Sequence, residues 1–492
     1  MYRQILGYIP SNVVPAAVSF IMIYVYTRLL TPAEFGSYSF VFSAVIVLQT
    51  SLFYALPIAV MRFYPAALLE GRQNGLLKEA YAVFYVVSVA LAVLWCLCGW
   101  TIGFPAADRT AAWLALPLLV FRSAVVLNQS VNRSTNSMAR FNFIECTHAT
   151  GGFLLGLAAI LLIGRDADAI LLGLLIAAVL CTFIDFRHLL IGFRRGVAAI
   201  DRATLMPLID YTWPLVAVAV TGSILQLSDR FLLGSLGSAE MLGIYAVAYS
   251  LVERPTSLIC SSISTATFPM AVQILEKHGP DAGRVQAGKN GAALLALILP
   301  ACAGLALTSP IVAAVLVGHE FRSGVAILIP ILCATHLLRG VRAHFVDHAF
   351  HLGGRPLMML WTYAPAAAAN IALNLLLIPR FGMLGAAWSG LVCQAATLVS
   401  GWVLGRGIFP LWLPVGQVVR AAIAVVPMAL VLLLVPFPLS WLGLIGAIII
   451  GAVVYTGAAI VLDVLGIRTM AMTWLRVAVR RFQRVPTSAG PV

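Results

Sequence analysis

Apolar runs of about twenty residues, each long enough for a helix to cross a bilayer core of roughly 30 Å, recur from one end of the 492-residue sequence to the other. Hydrophobic residues make up 61% of the chain and charged residues 10%, against roughly 45–50% and roughly 25% in soluble domains, so the composition excludes a cytosolic globular protein. The net charge of +13 does not point to nucleic acid, because Lys and Arg punctuate apolar segments instead of clustering on polar surface. All eight cysteines fall in apolar stretches with no CxxC pair for zinc or redox work, and they read as packing residues. The first run, Gly7 to Leu30, is too long for a signal-peptide core and is expected to stay as the first span.

Charged and turn-rich breaks divide the sequence into about fourteen helices. Six fall near 7–30, 38–60, 80–103, 112–131, 143–164 and 169–186. Six more fall near 207–233, 241–268, 290–317, 324–350, 357–378 and 384–405, and a last pair near 416–435 and 441–463. The expected fold class is an all-α integral membrane protein: a six-helix N-lobe over 1–190, a basic linker over 191–206, a six-helix C-lobe over 207–408, two extra spans over 409–465 and a basic tail over 466–492. Alternate connections differ in cationic content. One face holds only Arg28, Arg109, Arg165, Arg230, Arg322 and Arg380, while the other holds most of the remaining Lys and Arg, including the tail residues Arg468, Arg476, Arg480, Arg481 and Arg484. Cationic loops resist translocation, so the basic face and both termini are expected in the cytoplasm of a bacterial inner membrane, the tail favouring anionic lipid. No connection exceeds roughly twenty residues, which leaves no room for the long catalytic loop of a membrane glycan polymerase.

The sequence echoes itself. Arg28-Leu-Leu-Thr-Pro-Ala-Glu34-Phe-Gly36-Ser-Tyr38 is matched by Asp229-Arg230 followed by Ala239-Glu240-Met-Leu-Gly243-Ile-Tyr245, each reading as an Arg closing one helix, an Ala-Glu cap, a Gly turn and a Tyr opening the next. Leu161-Leu-Ile-Gly-Arg165 pairs with Leu376-Leu-Ile-Pro-Arg380, and Arg140 with Arg355. The offsets, about 202 to 217 residues, equal six helices and preserve orientation, which makes the copies parallel repeats around a site between two lobes.

At these motifs the chain resembles the polysaccharide transporter family, the Wzx-type O-antigen flippase branch of the superfamily that also holds the multidrug and toxin extruders. The residues that carry the resemblance are Thr27–Tyr38, Asp229–Gly234, Gly243–Tyr249 and Asn374–Ala387, within roughly residues 1 to 410. The resemblance implies no bond chemistry and hence no enzyme. It implies alternating-access transfer of an undecaprenyl-diphosphate-linked oligosaccharide from the cytoplasmic to the periplasmic leaflet. Its partners would be that glycolipid, membrane lipids and other polysaccharide-assembly proteins, with no cofactor beyond proton or sodium coupling. Family members often have twelve helices; the related lipid II flippases have fourteen.

Ionisable side chains inside a span are costly and usually face a cavity or a partner. Arg122 lies roughly 15 Å along the fourth helix, near the midplane, where its fork of donors suits a diphosphate or a structural ion pair. Arg254 sits deep in the eighth helix between Glu253 and Pro255, and Arg339 echoes Arg122 in the second repeat. Arg339 and Arg342 belong to a polar stretch with His336, His344, Asp347, His348 and His351, which reads as a wet cytoplasmic vestibule rather than a metal site. Arg28 and Arg230 are expected at the outward ends of helices one and seven as gates or interfacial anchors. Asp210, Glu145 and Asp185 read as solvated caps or paired charges. The alternatives are a cation-coupled multidrug antiporter, which would want mid-span carboxylates absent from the first four helices, a lipid II flippase, and, from another class, a glycan polymerase or an assembly scaffold.

Overall fold

The structure is a computed structural model that describes residues 9–101, 109–185 and 202–469. The basic linker up to residue 201 and the tail beyond residue 469 lie outside the described residues. The first lobe contains α1 (Ile9–Leu29), α2 (Pro32–Phe53), α3 (Ala55–Leu69), α4 (Gln73–Thr101), α5 (Arg109–Ser134), α6 (Met138–Leu162) and α7 (Ala167–Ile184). The second contains α8 (Arg202–Leu236), α9 (Ala239–Leu307), α10 (Ser309–Leu316), α11 (Arg322–Val341), α12 (His348–Leu352), α13 (Leu360–Phe381) and α14 (Met383–Ile408). The final pair is α15 (Val415–Leu434) and α16 (Trp441–Val461).

Among the described residues, 13 helices are long and apolar enough to span a bilayer. One of them, α9, has 69 residues, or about 100 Å of helix, more than three times the hydrocarbon thickness. It bends at Gly279, whose φ of 84° ends the first arm, and Pro280 opens the second arm where no N–H is required. The two arms make two passages, and the count becomes the fourteen expected from sequence. Tyr54 interrupts the second span, so α3 prolongs α2 beyond the length read from its apolar run.

Helix pairing repeats between the lobes. In the first, α1 packs on α6, α2 on α5, and α7 on both α5 and α6; in the second, α8 packs on α13, α9 on α11, and α14 on both α11 and α13. The lobes meet where α2 crosses α8 and α9. Local sequence sets this crossing. Thr31 and Glu34 form a capping box, with Glu34 N–H donating to Thr31 Oγ1 at 3.4 Å and Thr31 N–H to Glu34 Oε2 at 2.7 Å, and Pro32 opens α2. Ser238 caps α9 through the Met241 N–H. These two starts bring Gly36 and Gly243 face to face: a Cβ on Gly36 would lie 1.8 Å from the Ala239 carbonyl oxygen, and one on Gly243 1.9 Å from that of Pro32. Only glycine permits so close a backbone approach. At the same end the Gly318 N–H donates to Thr27 Oγ1 at 2.9 Å, and Arg28 Nη2 donates to the Val315 carbonyl at 2.9 Å. The lobes are therefore sealed at the charge-poor face.

Helices α15 and α16 pack on each other and on the second arm of α9, where Tyr455 donates to the Ala296 carbonyl and Ala421 and Ala424 are fully buried. Of the cysteines, Cys96 and Cys98 are exposed on α4 rather than packed, while Cys181, Cys260, Cys302, Cys333 and Cys393 are buried.

Candidate functional site

Four helices that cross at the seam, α1, α2, α8 and α9, enclose a cavity of about 190 Å³. Its aromatic wall is Phe35, Tyr38 and Phe42 from α2 and Tyr249 from α9, with Tyr38 stacked on Phe42 at 5.6 Å. Its charged residues are Arg230, Glu253 and Arg254.

The sequence placed Arg230 at the outward end of its helix as a gate or anchor. The structure corrects this: α8 runs on through Leu236, so Arg230 lies more than a turn inside and is 9% exposed. Its guanidinium stacks over Tyr249 at 5.0 Å, and Nη1 donates to Ser43 Oγ of the opposite lobe at 3.4 Å. The apolar continuation Phe231-Leu-Leu-Gly234 carried that signal. Arg28, by contrast, stands one residue before the end of α1, donating to the Tyr24 carbonyl at 2.6 Å as well as to Val315.

Neighbours in a helix point apart, and Glu253 and Arg254 do so here. Glu253 accepts from Arg339 on α11 at 3.3 Å, and Arg339 also donates to Tyr249 at 3.1 Å. Arg254 is exposed to the cavity and has no carboxylate partner among the described residues. The cavity is thus left with two guanidiniums and one carboxylate already engaged by a third. Such a site attracts an anion.

Arg122 is not in this cavity. It lies behind Phe42, with its guanidinium carbon 4.9 Å from the ring centroid, and its Nε donates to Gln49 at 2.9 Å. It faces a second cavity between α3, α5 and α6. Arg342 is likewise remote from the seam. The vestibule expected around it is only partly closed: His336, Arg342, Asp347 and His348 are all less than a tenth exposed, whereas Arg339 and His344 are half-buried and His351 is exposed. A π-turn over Arg342–Val346 interrupts the helix, Tyr363 donates to Asp347 at 2.6 Å, and Arg342 lies over the Tyr363 ring with Asp347 at 3.9 Å. The space left there is a pocket of about 60 Å³ beside His336, Arg339 and His344. Packing from Tyr363 of α13 covers Arg342, and Phe268, whose ring lies 4.5 Å from that of His348, covers His348.

Asp229 was legible only as part of a repeat motif. It is 3% exposed beside Arg230, accepts from Tyr245 at 2.9 Å and from Asn374 at 2.7 Å, and adjoins Asn370, which accepts from Ser228. The signal was the Asn370/Asn374 spacing, which puts two amides on one face of α13. Asp185, read as a cap or a paired charge, is fully buried and bound by Arg140 and Asn132. Glu145 accepts from Gln129 at 3.0 Å.

Two lobes with the same internal helix pairing, meeting around a polar cavity sealed at one face, define the fold of the two-lobed membrane transporters and flippases. The chain belongs to the polysaccharide biosynthesis protein family, whose sequence profile matches residues 2–275. Among solved structures, it resembles the lipid II flippase MurJ in an inward closed conformation at TM-score 0.76 and 13% identity, over 93% of this chain and 99% of that one. It resembles an outward-facing multidrug resistance MATE family transporter of the MOP superfamily at TM-score 0.56 and 14% identity, over 82% and 95% of the two chains. A MOP superfamily transporter from Pyrococcus furiosus aligns at TM-score 0.57 and 14% identity, over 82% and 93%. No curated protein matches by sequence.

Proposed function

We propose that the protein is a flippase that moves an undecaprenyl-diphosphate-linked oligosaccharide from the cytoplasmic to the periplasmic leaflet of a bacterial inner membrane. The observation that carries this reading is the seam cavity, in which Arg230 and Arg254 face a space whose one carboxylate, Glu253, is held by Arg339. Guanidinium forks match phosphate oxygens and stay charged throughout a cycle, so release comes from reorganised contacts as the lobes rock. With the basic face inward, the seal at Gly36 and Gly243 is periplasmic and the cavity belongs to the loading half of the cycle. Moving an anion outward runs with an inside-negative potential, which contributes about 2.3 kcal/mol per charge per 100 mV to the step.

A second reading, lipid II as the glycolipid, is favoured by the likeness to MurJ across 93% of this chain. Depletion of the protein followed by leaflet-resolved quantification of undecaprenyl-diphosphate-linked glycans separates the two. Accumulation of a surface-glycan precursor on the inner leaflet, restored by the wild type and not by well-expressed Arg254→Ala or Arg230→Ala, supports the proposal. Accumulation of lipid II shifts the assignment to the second reading. Unchanged glycolipids with altered drug tolerance sink both and promote the antiporter.

A further inference from the structure

The seam cavity is too small for its proposed cargo. Pockets that enclose drug-sized ligands span roughly 300–1,000 Å³, and about 190 Å³ holds a diphosphate with little of a glycan. The second cavity, about 430 Å³, begins on the far side of Phe42, whose ring forms part of the seam cavity and carries Arg122 on its other flank. A further space of about 210 Å³ beside Gln49 shares Tyr54, Pro57 and Val126 with it. The seam cavity and the space beside Gln49 lie along α2, the second cavity continues from that space along α3 and α5, and the Phe42–Gln49–Arg122 group stands between the seam cavity and the other two.

The lining of this second cavity carries two guanidiniums, Arg122 and Arg133, against one carboxylate, Glu145. Arg122 uses Nε on the neutral amide of Gln49 and has no carboxylate partner among the described residues. Arg133 lies over Phe141 at 4.4 Å, also without one. The single carboxylate, Glu145, accepts from Gln129. In the adjoining space of about 210 Å³, Gln49 Nε2 is buried with no partner, a donor left for an acceptor that is not protein. Tyr54 supplies an exposed ring face of the kind sugar C–H groups pack on. An unpaired guanidinium near mid-membrane is costly, and an anionic ligand offsets that cost where a neutral one does not.

We infer that this N-lobe cavity is a glycan subsite for an acidic sugar, with Arg122 binding a carboxylate on the oligosaccharide while Arg230 and Arg254 hold the diphosphate. The inference rests on the flippase reading above and adds that the repeat unit carries a uronate or similar acidic residue.

The test uses the full-length protein in lipid nanodiscs and saturation-transfer NMR, with three probes: digalacturonate, its neutral counterpart galabiose (α-1,4-linked digalactose), and undecaprenyl diphosphate without sugar. Digalacturonate binds the wild type and galabiose does not; Arg122→Gln weakens digalacturonate at least tenfold, Arg122→Lys recovers part of the loss, and undecaprenyl diphosphate binding is unchanged in both. Arg254→Ala does the reverse. Equal binding of digalacturonate by the wild type and a normally melting Arg122→Gln overturns the inference, as does equal binding of galabiose. If digalacturonate binds only in zwitterionic discs and anionic phosphatidylglycerol abolishes it, the cavity is a lipid headgroup site and the inference also falls. Failure of undecaprenyl diphosphate to bind the wild type counts against the flippase reading alone, because the digalacturonate comparison is read independently.

Discussion

Adding one carbon at Gly36 tests the seal between the lobes. A Cβ there falls 1.8 Å from a backbone oxygen, about 1.6 Å inside the near limit of ordinary contact, and its neighbours are the Ala239 carbonyl and the Gly243 amide rather than a flexible side chain. Nothing at the crossing yields except the distance between α2 and α9. Overpacking of this kind costs roughly 1–3 kcal/mol, and the upper end applies where the obstacle is backbone. About 3 kcal/mol shifts the ratio of sealed to unsealed molecules about 100-fold, at 1.4 kcal/mol per factor of ten. The contact is reciprocal, so Gly36→Ala and Gly243→Ala are expected to behave alike, and the double variant to add less than the sum, since either methyl already parts the helices. The assay is the rate at which a membrane-impermeant maleimide, added from the charge-poor face, reacts with Ser250→Cys in the cavity of a chain whose native cysteines have been replaced. The rate should rise towards 100-fold in both single variants while flipping slows. An unchanged rate in both, in protein that melts as the wild type does, would refute the seal.

Three further outcomes follow from buried polar groups and from the C-terminal pair. Arg339→Met leaves Glu253 facing the cavity without its cation and should lower stability by about 2–3 kcal/mol, at the low end for a broken buried pair because both partners are partly exposed; Glu253→Gln in addition should recover most of the loss in a thermal melt. Asp229→Asn offers one acceptor oxygen to two donors, Tyr245 and Asn374, so one is orphaned at a cost of about 1–3 kcal/mol, read as a fall in Tm, with Asp229→Leu falling further. Gly288→Ala places a carbon 1.5 Å from the Trp412 carbonyl and should loosen α15 and α16 from α9, seen as faster amide exchange over 415–461 with the seam helices unchanged.

Hydropathy and the repeated motif were sufficient for the helix count and the lobe pairing, because span length and repeat offset are properties of consecutive residues. What escaped was set by residues distant in sequence. Gly279-Pro280 marks a loop in sequence, yet the first arm of α9 extends past its apolar run through Glu276, Lys277 and His278 and the second starts early, through Asp281 and Arg284, leaving the bend alone between them. Arg230 read as terminal because its echo Arg28 is terminal; the two copies differ in how far the helix continues, and only burial against α2 reveals the consequence. The polar stretch from His336 to His351 carried the composition of a vestibule, but Tyr363 and Phe268, from other helices, cover Arg342 and His348 and leave only Arg339, His344 and His351 open. Arg122 was recognised as a mid-span cation, and its separation from the other arginines by a single aromatic ring could not be read from one helix.

The 69 residues of α9 act mechanically as a crank. Two consecutive passages of most membrane proteins are joined by a loop that absorbs relative motion; here a single bend at Gly279 joins them, and torque on one arm reaches the other with little slack. The first arm carries Gly243, Tyr249 and Arg254 at the seam, and the second carries Gly288 and Ala296, on which α15 and α16 ride. On the proposed rocking of the lobes, the C-terminal pair is driven with them, and the bilayer beside α15 and α16 is displaced in step with the proposed cargo.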